Sequence, residues 1–147
     1  MDTPVQQLLK RKGIFVLRTV PTASVYDSIQ RMVDHNLGSI VVMEGEALAG
    51  IFTERDYLRR IVLQGRTSRT TAVAEVMTTD LVTATSDTTV ETCLSLMTEA
   101  RCRHLPVVEG DRLIGVVSIG DCVKHLLDTA QAQVHSLQNY VTGRYPA

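Results

Sequence analysis

Hydrophobic positions along this chain change their period several times, and each change marks an element. From Pro4 to Lys10 the apolar Val5, Leu8 and Leu9 recur at helical spacing. The run closes on Lys10-Arg11-Lys12-Gly13, basic residues that suit a helix C-terminus followed by a glycine that suits its cap. Ile14 to Leu17 is a short apolar run that predicts a strand, and Pro21-Thr22 turns the chain. Ser24 with Asp27 three residues on has the form of a capping box, and Val25, Ile29, Met32 and Val33 give the helix that follows one apolar stripe. Asn36-Leu37-Gly38 stops it. Ser39 to Met43 is an unbroken β-branched-rich run of the kind buried on both faces. Glu44-Gly45-Glu46 predicts a tight turn into Ala47 to Phe52, and so a hairpin. Beyond Thr53, helical spacing returns in Tyr57, Leu58, Ile61 and Val62 and ends at Gly65.

The whole succession then repeats. Gly50-Ile51-Phe52-Thr53-Glu54-Arg55-Asp56 comes back as Gly115-Val116-Val117-Ser118-Ile119-Gly120-Asp121, an offset of 65 residues. Val25 falls on Val90, Met32 on Met97, Glu44-Gly45 on Glu109-Gly110 and Leu48 on Leu113 without a gap. In the second copy Leu81-Val82 predicts a strand and Thr88 with Glu91 a capping box. Val90, Leu94 and Met97 line its first helix, Leu105 to Val108 and Leu113 to Val117 its hairpin, and Cys122, Val123, Leu126 and Leu127 its last helix.

A fixed period decides the architecture. The fold class is α/β (α+β): two tandem β-α-β-β-α repeats packed sheet to sheet about a pseudo-two-fold axis. One unit of roughly 50 residues would bury too little surface to stand alone, so the pair is the folding unit. The expected segments are 1–13 (N-terminal helix and linker), 14–65 (first repeat), 66–77 (linker), 78–128 (second repeat) and 129–147 (C-terminal tail). The tail is polar and Gln-rich, helical to about Tyr140 and loose at Gly143 and Pro146.

Composition narrows the function classes. In 147 residues the hydrophobic share is 44 % but aromatics are 4 %, so the core is aliphatic. Fifteen basic against sixteen acidic residues give a net charge of −1, which argues against nucleic acid or membrane as partners. No stretch has the form of a signal peptide or of a ~20-residue apolar span. Cys93, Cys102 and Cys122 are odd in number and form no C-x-x-C, as in reduced, buried thiols of a cytoplasmic protein. Cys102 stands between Arg101 and Arg103, and cations lower a thiol pKa, so a redox role for it stays open. His35, His104, His125 and His135 are scattered without metal-ligand spacing. There is no Walker-type loop and no nucleophile–base–orienter set, so neither a metal site nor an enzyme is expected. Arg60, Arg66 and Arg69 read as a solvated linker cluster or, alternatively, as a binding patch.

The chemistry lies at the end of each hairpin. Thr53 with Asp56, and Ser118 with Asp121, place a hydroxyl and a carboxylate three apart where a strand becomes a helix. One reading is a capping box that satisfies orphan amides. The other is a nucleotide cradle: the helix N-terminus favours an anion, the hydroxyl donates to a phosphate, and the carboxylate accepts from the vicinal hydroxyls of a ribose. On that reading the preceding Gly50 and Gly115 let a ligand approach the backbone. Arg101-Cys102-Arg103-His104 has no charged counterpart in Asn36-Leu37-Gly38-Ser39, so the two clefts should differ.

The duplicated G-h-h-[ST]-x-x-D, with V-x-x-h opening each first helix and Ile40-Val41-Val42-Met43 or Leu105-Pro106-Val107-Val108 before each turn, resembles the CBS (cystathionine-β-synthase-type) domain pair, or Bateman module. The likeness is to its stand-alone bacterial form and covers about residues 14 to 128. It implies a non-catalytic adenosyl-ligand sensor with AMP as the first choice, then ADP, ATP or NAD, and S-adenosylmethionine as a further ligand. By that resemblance Asp56 and Asp121 would hold ribose, with Thr53 and Ser118 near the phosphates. Thr83 matches a ligand-touching position before the first helix, where the first copy has Arg18. Arg103 and His104 would face phosphate, with Arg55 as a further candidate, and affinity would then weaken above about pH 7 as His104 loses its proton. The resemblance also implies a homodimer and an effector protein on another chain. The alternative is an interaction or dimerisation module in which nucleotide binding is lost or incidental.

Overall fold

Each repeat builds a three-stranded mixed sheet around its central apolar strand. The protein is described from a computed structural model, over residues 3–13 and 15–141. The first sheet has the order β1 (Arg18–Thr19), β2 (Ser39–Glu44), β3 (Ala47–Thr53), and the second β4 (Ala84–Thr85), β5 (His104–Glu109), β6 (Arg112–Ser118). In each, the short first strand runs parallel to the central one and the hairpin is antiparallel. The 65-residue offset holds down to the register: Thr19 lies opposite Val42 as Ala84 lies opposite Val107, and Gly50 opposite Val42 as Gly115 opposite Val107. A bulge follows Val42 in one sheet and Val107 in the other.

Burial on both faces of β2 has a direct cause. Ile40 and Val42 point into the core of the first repeat, whereas Val41 and Met43 point at the other sheet. There Val41, Met43, Ile51 and Leu113 form the junction between repeats, supported by Val16, Leu48, Leu81, Val108 and Val116. The expected sheet-to-sheet pair is therefore the observed architecture.

The helices are α1 (Val5–Lys12), α2 (Val25–Asp34), α3 (Glu54–Asp56) running straight into a π-helical stretch Tyr57–Val62, α4 (Val90–Ala100) and α5 (Ile119–Val141), with a 3₁₀ turn at Val73–Glu75. Several expected boundaries move. Residues 15–17 and 81–82 are not strands; Leu17 is buried and its carbonyl accepts from the Val41 amide (3.0 Å), but paired strand begins only at Arg18 and Ala84. Ile14 lies outside the described residues, as do Gly143 and Pro146. α1 runs two residues past Lys10, to Lys12, and Gly13 (φ +95°) caps it. The cap of α4 is Thr89, which accepts from the Thr92 amide, because Thr88 Oγ1 is taken by the Thr85 amide. In α2, Val33 is 71 % exposed and Ser28 takes its place inside. The last helix of the second repeat continues into the tail as one 23-residue helix, Ile119–Val141, about 35 Å long.

The repeats also exchange their leading segments. Val5, Leu8 and Leu9 of α1 are buried in the core of the second repeat, against Val90, Cys93 and Met97. Val73 and Val76 of the linker sit in the core of the first. The hydrogen bonds match: Val25 donates to Thr71 and Val73 to Ala23, just as Val90 donates to Thr3 and Val5 to Thr88. The linker is bound closely rather than loose. Arg66 pairs with Glu75 (2.7 Å), Arg69 lies 4.0 Å over the Tyr26 ring, and Arg60 donates to the carbonyls of Val76 and Met77.

Candidate functional site

Both hydroxyl–aspartate pairs form capping boxes. Asp56 N–H donates to Thr53 Oγ1 (3.2 Å) while Thr53 N–H donates to Asp56 Oδ2 (3.0 Å). Asp121 N–H donates to Ser118 Oγ (3.1 Å) while Ser118 N–H donates to Asp121 Oδ2 (2.9 Å). The local geometry is the same twice over. What reaches each carboxylate from outside the box is different.

Asp56 is 8 % exposed. Its Oδ2 also accepts from Thr53 Oγ1 (3.1 Å), Thr78 Oγ1 reaches both oxygens (3.1 and 3.3 Å), and Arg60 Nε lies 3.9 Å from Oδ1. A carboxylate has about four acceptor sites, and these are largely occupied by the protein itself. The linker seals the place further: Ile51 and Thr78 exchange both backbone hydrogen bonds (3.0 and 2.8 Å).

Asp121 opens a cleft. Two elements of the first repeat meet the end of the second hairpin there, enclosing about 410 Å³, within the ~300–1,000 Å³ usual for small-molecule sites. Gly13 and Phe15 to Leu17 form one wall, Asn36 to Ser39 and Val41 another; His104, Val116, Ser118 and Asp121 complete it, with Lys12 reaching in. Lys12 Nζ donates to Asp121 Oδ2 (2.6 Å) and to the Val116 carbonyl (3.0 Å). Burial alone would raise the Asp121 carboxyl, but the Lys12 ammonium and the Ser118 bonds outweigh it and hold the group below its ordinary range. Among the described residues Asp121 Oδ1 accepts no hydrogen bond. Phe15 is 63 % exposed at the cleft and stacks on His35, with ring centroids 5.2 Å apart.

His104 is half-buried, opposite Ser118 in the β5–β6 register. Burial first, then the Lys12 charge, hold its pKa below the ordinary value, with Arg103 adding to them; Glu54 and Asp121 pull the other way without prevailing. The ring stands where a side chain on Gly38 would point, 3.3 Å from such a carbon.

The expected residues thus divide. Ser118, Asp121 and His104 come together at one cleft. Thr53 and Asp56 stand at the sealed counterpart. Arg55 is exposed and donates to the Arg101 carbonyl (2.6 Å), tying one repeat to the left-handed cap of α4 in the other. Arg103 is exposed, and its carbonyl accepts from Ile119 N–H (2.9 Å). Thr83 is exposed just before β4. The reading of Gly50 and Gly115 as room for a ligand is corrected. A methyl on Gly50 would lie 2.8 Å from the Thr78 carbonyl, and one on Gly115 2.9 Å from Leu9, so the chain's own segments fill those spaces. Cys102 is half-buried, and burial raises its thiol despite backbone hydrogen bonds and the nearby Arg55 charge, which removes the electrostatic basis of a redox role. Burial pushes Cys93 up to about 11 and Cys122 to about 12. Lys12 and Phe15 were not among the expected site residues. Nothing in the local pattern marks them, because the crossing of α1 onto the second repeat is what brings them to the cleft.

Among the described residues no helix is long and apolar enough to cross a membrane, and no group of three or more His, Cys, Asp or Glu is arranged to hold a metal. Comparison with known proteins gives a consistent picture. The family description "CBS domain" matches residues 16–63 and 73–128. The mitochondrial CBS domain-containing protein CBSX3 of Arabidopsis thaliana is 40 % identical over 98 % of this chain and 74 % of its own length. The CBS domain-containing protein YhcV of Bacillus subtilis is 34 % identical over 76 % of this chain and 79 % of its own. A solved protein with CBS domains from Burkholderia ambifaria, described as a candidate signal-transduction protein, is 42 % identical with a TM-score of 0.82. That match covers 86 % of this chain and 95 % of the solved one.

Proposed function

This chain belongs to the CBS-domain family as a tandem pair, and from that premise we propose that it is an adenine-nucleotide sensor whose working site is the Asp121 cleft. The observation that carries the choice is the contrast between the carboxylates: Asp56 is filled by Thr53 and Thr78, whereas Asp121 lines a cavity with one oxygen free of partners among the described residues. Asp121 takes the ribose hydroxyls at the start of the long α5, where the amide dipoles favour an anion. Val16, Leu17, Leu37, Val41 and Val116 give the base an apolar seat, with Phe15 at its edge. Ser118 and His104 face the phosphate, so AMP is the first choice, ahead of ADP, ATP, NAD and S-adenosylmethionine.

The signal passes to another chain, since a ligand acts only by favouring one of two states. Leu58, Val62 and Leu63 on the first repeat, and Ile119, Val123 and Leu127 along α5, are large apolar side chains left exposed. They support a symmetric homodimer, the commonest association for such chains, and a surface for an effector. Light scattering should give twice the 16.2 kDa chain mass; a 16.2 kDa species at all concentrations removes the dimer. Three unpaired thiols suit a reducing compartment, and we place the protein in the cytoplasm. The deciding experiment is calorimetric titration of the five ligands into the wild type and Asp121→Ala. Saturable binding that Asp121→Ala abolishes is expected. Heat that persists in Asp121→Ala moves the site elsewhere, and no heat from folded wild type leaves the interaction module as the better description.

A further inference from the structure

The two sites are closed by equivalent segments in unequal ways. At Asp56 the closure is made by main chain: Thr78 exchanges two backbone hydrogen bonds with Ile51 and adds its hydroxyl to the carboxylate. At the second site the counterpart of Ile51 is Val116, and what reaches its carbonyl is not backbone but Lys12 Nζ (3.0 Å), which holds Asp121 Oδ2 (2.6 Å) at the same time. A pair of main-chain hydrogen bonds between the buried Ile51 and the half-buried Thr78 is fixed by the backbone of both segments. An ammonium on a flexible four-carbon stem, 31 % exposed beside a carboxylate 24 % exposed, can leave.

We propose that Lys12 is a reversible latch on the Asp121 cleft: its ammonium occupies the carboxylate that the vicinal hydroxyls of a ligand require, so ligand entry and loosening of the last turn of α1 are one event. This inference rests on the nucleotide reading of the cleft and specifies how that site is regulated. Val5, Leu8 and Leu9 anchor α1 in the core of the second repeat, so the helix as a whole stays. Its last turn lies beyond that anchor. It is held by the Gly13 N–H bond to the Leu9 carbonyl (2.9 Å), by the Lys12 contacts and by Arg11 Nη1 near His125 Nδ1 (3.5 Å). Gly13, at φ +95°, holds a conformation that only glycine adopts easily, and it lines the cleft together with Phe15. Once displaced, the ammonium remains at the cleft, where a phosphate gives it a new partner and an uncharged nucleoside does not.

That difference supplies the test. Adenosine and AMP are titrated into the wild type, Lys12→Met and Lys12→Gln. Adenosine should bind both variants about tenfold more tightly than the wild type, because a charge-assisted competitor is gone. AMP should gain less, because the phosphate loses the same cation. On the wild type, saturating adenosine, which offers the displaced ammonium no new partner, should speed backbone hydrogen exchange in residues 10–13 and leave residues 5–9 unchanged. Adenosine affinity that is unchanged or weaker in both variants overturns the latch while Asp121-dependent AMP binding still stands. Unaltered exchange in residues 10–13 also overturns it. Absence of any binding to the wild type and the variants overturns the nucleotide reading and the latch with it.

Discussion

Asp56 and Asp121 stand at the same place in two copies of one unit, each three residues past a hydroxyl that opens a helix. Each closes the same reciprocal box, with bonds of 3.0 and 3.2 Å in one copy and 2.9 and 3.1 Å in the other. What separates them comes from outside the repeat. The linker delivers Thr78 to Asp56 and seals it. The N-terminal segment, which serves the second repeat as the linker serves the first, delivers Lys12 to Asp121 beside an open cleft. The motif sets the cap, and the segment crossing over from the other side decides whether the carboxylate is structural or available to a ligand.

The largest expected effect tests that division directly. Asp56→Ala leaves the Thr53 amide and the Thr53 and Thr78 hydroxyls without their acceptor in a buried place, and should cost about 3 kcal/mol. For a chain of this size that is a fall in Tm of roughly 10 °C. Asp121→Ala removes a cap bond and a partly exposed ion pair, about 1 kcal/mol, while removing nucleotide binding. Urea denaturation of the two variants measures the difference. Equal losses of stability would erase the comparison.

The glycines sharpen it at a smaller scale. An alanine methyl at Gly50 meets the Thr78 main-chain carbonyl at 2.8 Å, and a carbonyl held in a two-bond bridge cannot retreat. At Gly115 the obstacle is the end of the Leu9 side chain at 2.9 Å, which can rotate away. Gly50→Ala should therefore cost about 2–3 kcal/mol and Gly115→Ala about 1 kcal/mol by the same denaturation assay. The reverse order would mean that α1, not the linker, is the firmer closure.

Most of the fold was legible because it is periodic twice over: β-branched runs and helical stripes give the elements, and the 65-residue offset gives their pairing. The capping boxes were legible for the same local reason. What the sequence hides is tertiary. Lys12 reads as an ordinary basic residue at a helix C-terminus, and only the crossing of α1 into the second repeat brings it to Asp121. Thr78 reads as the first residue of the second repeat, and only its bridge to Ile51 shows that it closes a site in the first. Ile14 to Leu17 carries a strand composition, yet 15–17 serve as cleft wall and junction packing, because the ladder with β2 starts further on. Val33, Leu58 and Val62 fit their helical stripes but are left outside. Periodicity does not distinguish a face that meets the chain's own core from one that remains uncovered.

The smallest effect concerns a second titratable difference at the cleft, beside Lys12. His104 occupies the place of Ser39 in the first repeat, with Lys12, Glu54, Asp121 and Arg103 as its charged neighbours. Burial and Lys12 lower its pKa, so in the folded protein it takes up a proton later than in the unfolded chain as pH falls. The unfolded state then binds more protons. The associated stability is fully present above about pH 6.5 and is lost as pH falls through the lower folded value. His104→Gln should flatten the stability curve relative to wild type on the acid side of pH 6.5, by less than about 1 kcal/mol; Ser39→Ala should leave its shape unchanged. Ligand reverses the sign. A phosphate facing His104 pulls its pKa upward, so AMP binding takes up a proton and AMP affinity should fall as pH rises from about 6 to 8. Adenosine, which brings no phosphate, should show no such fall in the same titration. If AMP follows the flat profile of adenosine, His104 does not face the phosphate, and the asymmetry between the sites rests on Lys12 and Thr78 alone.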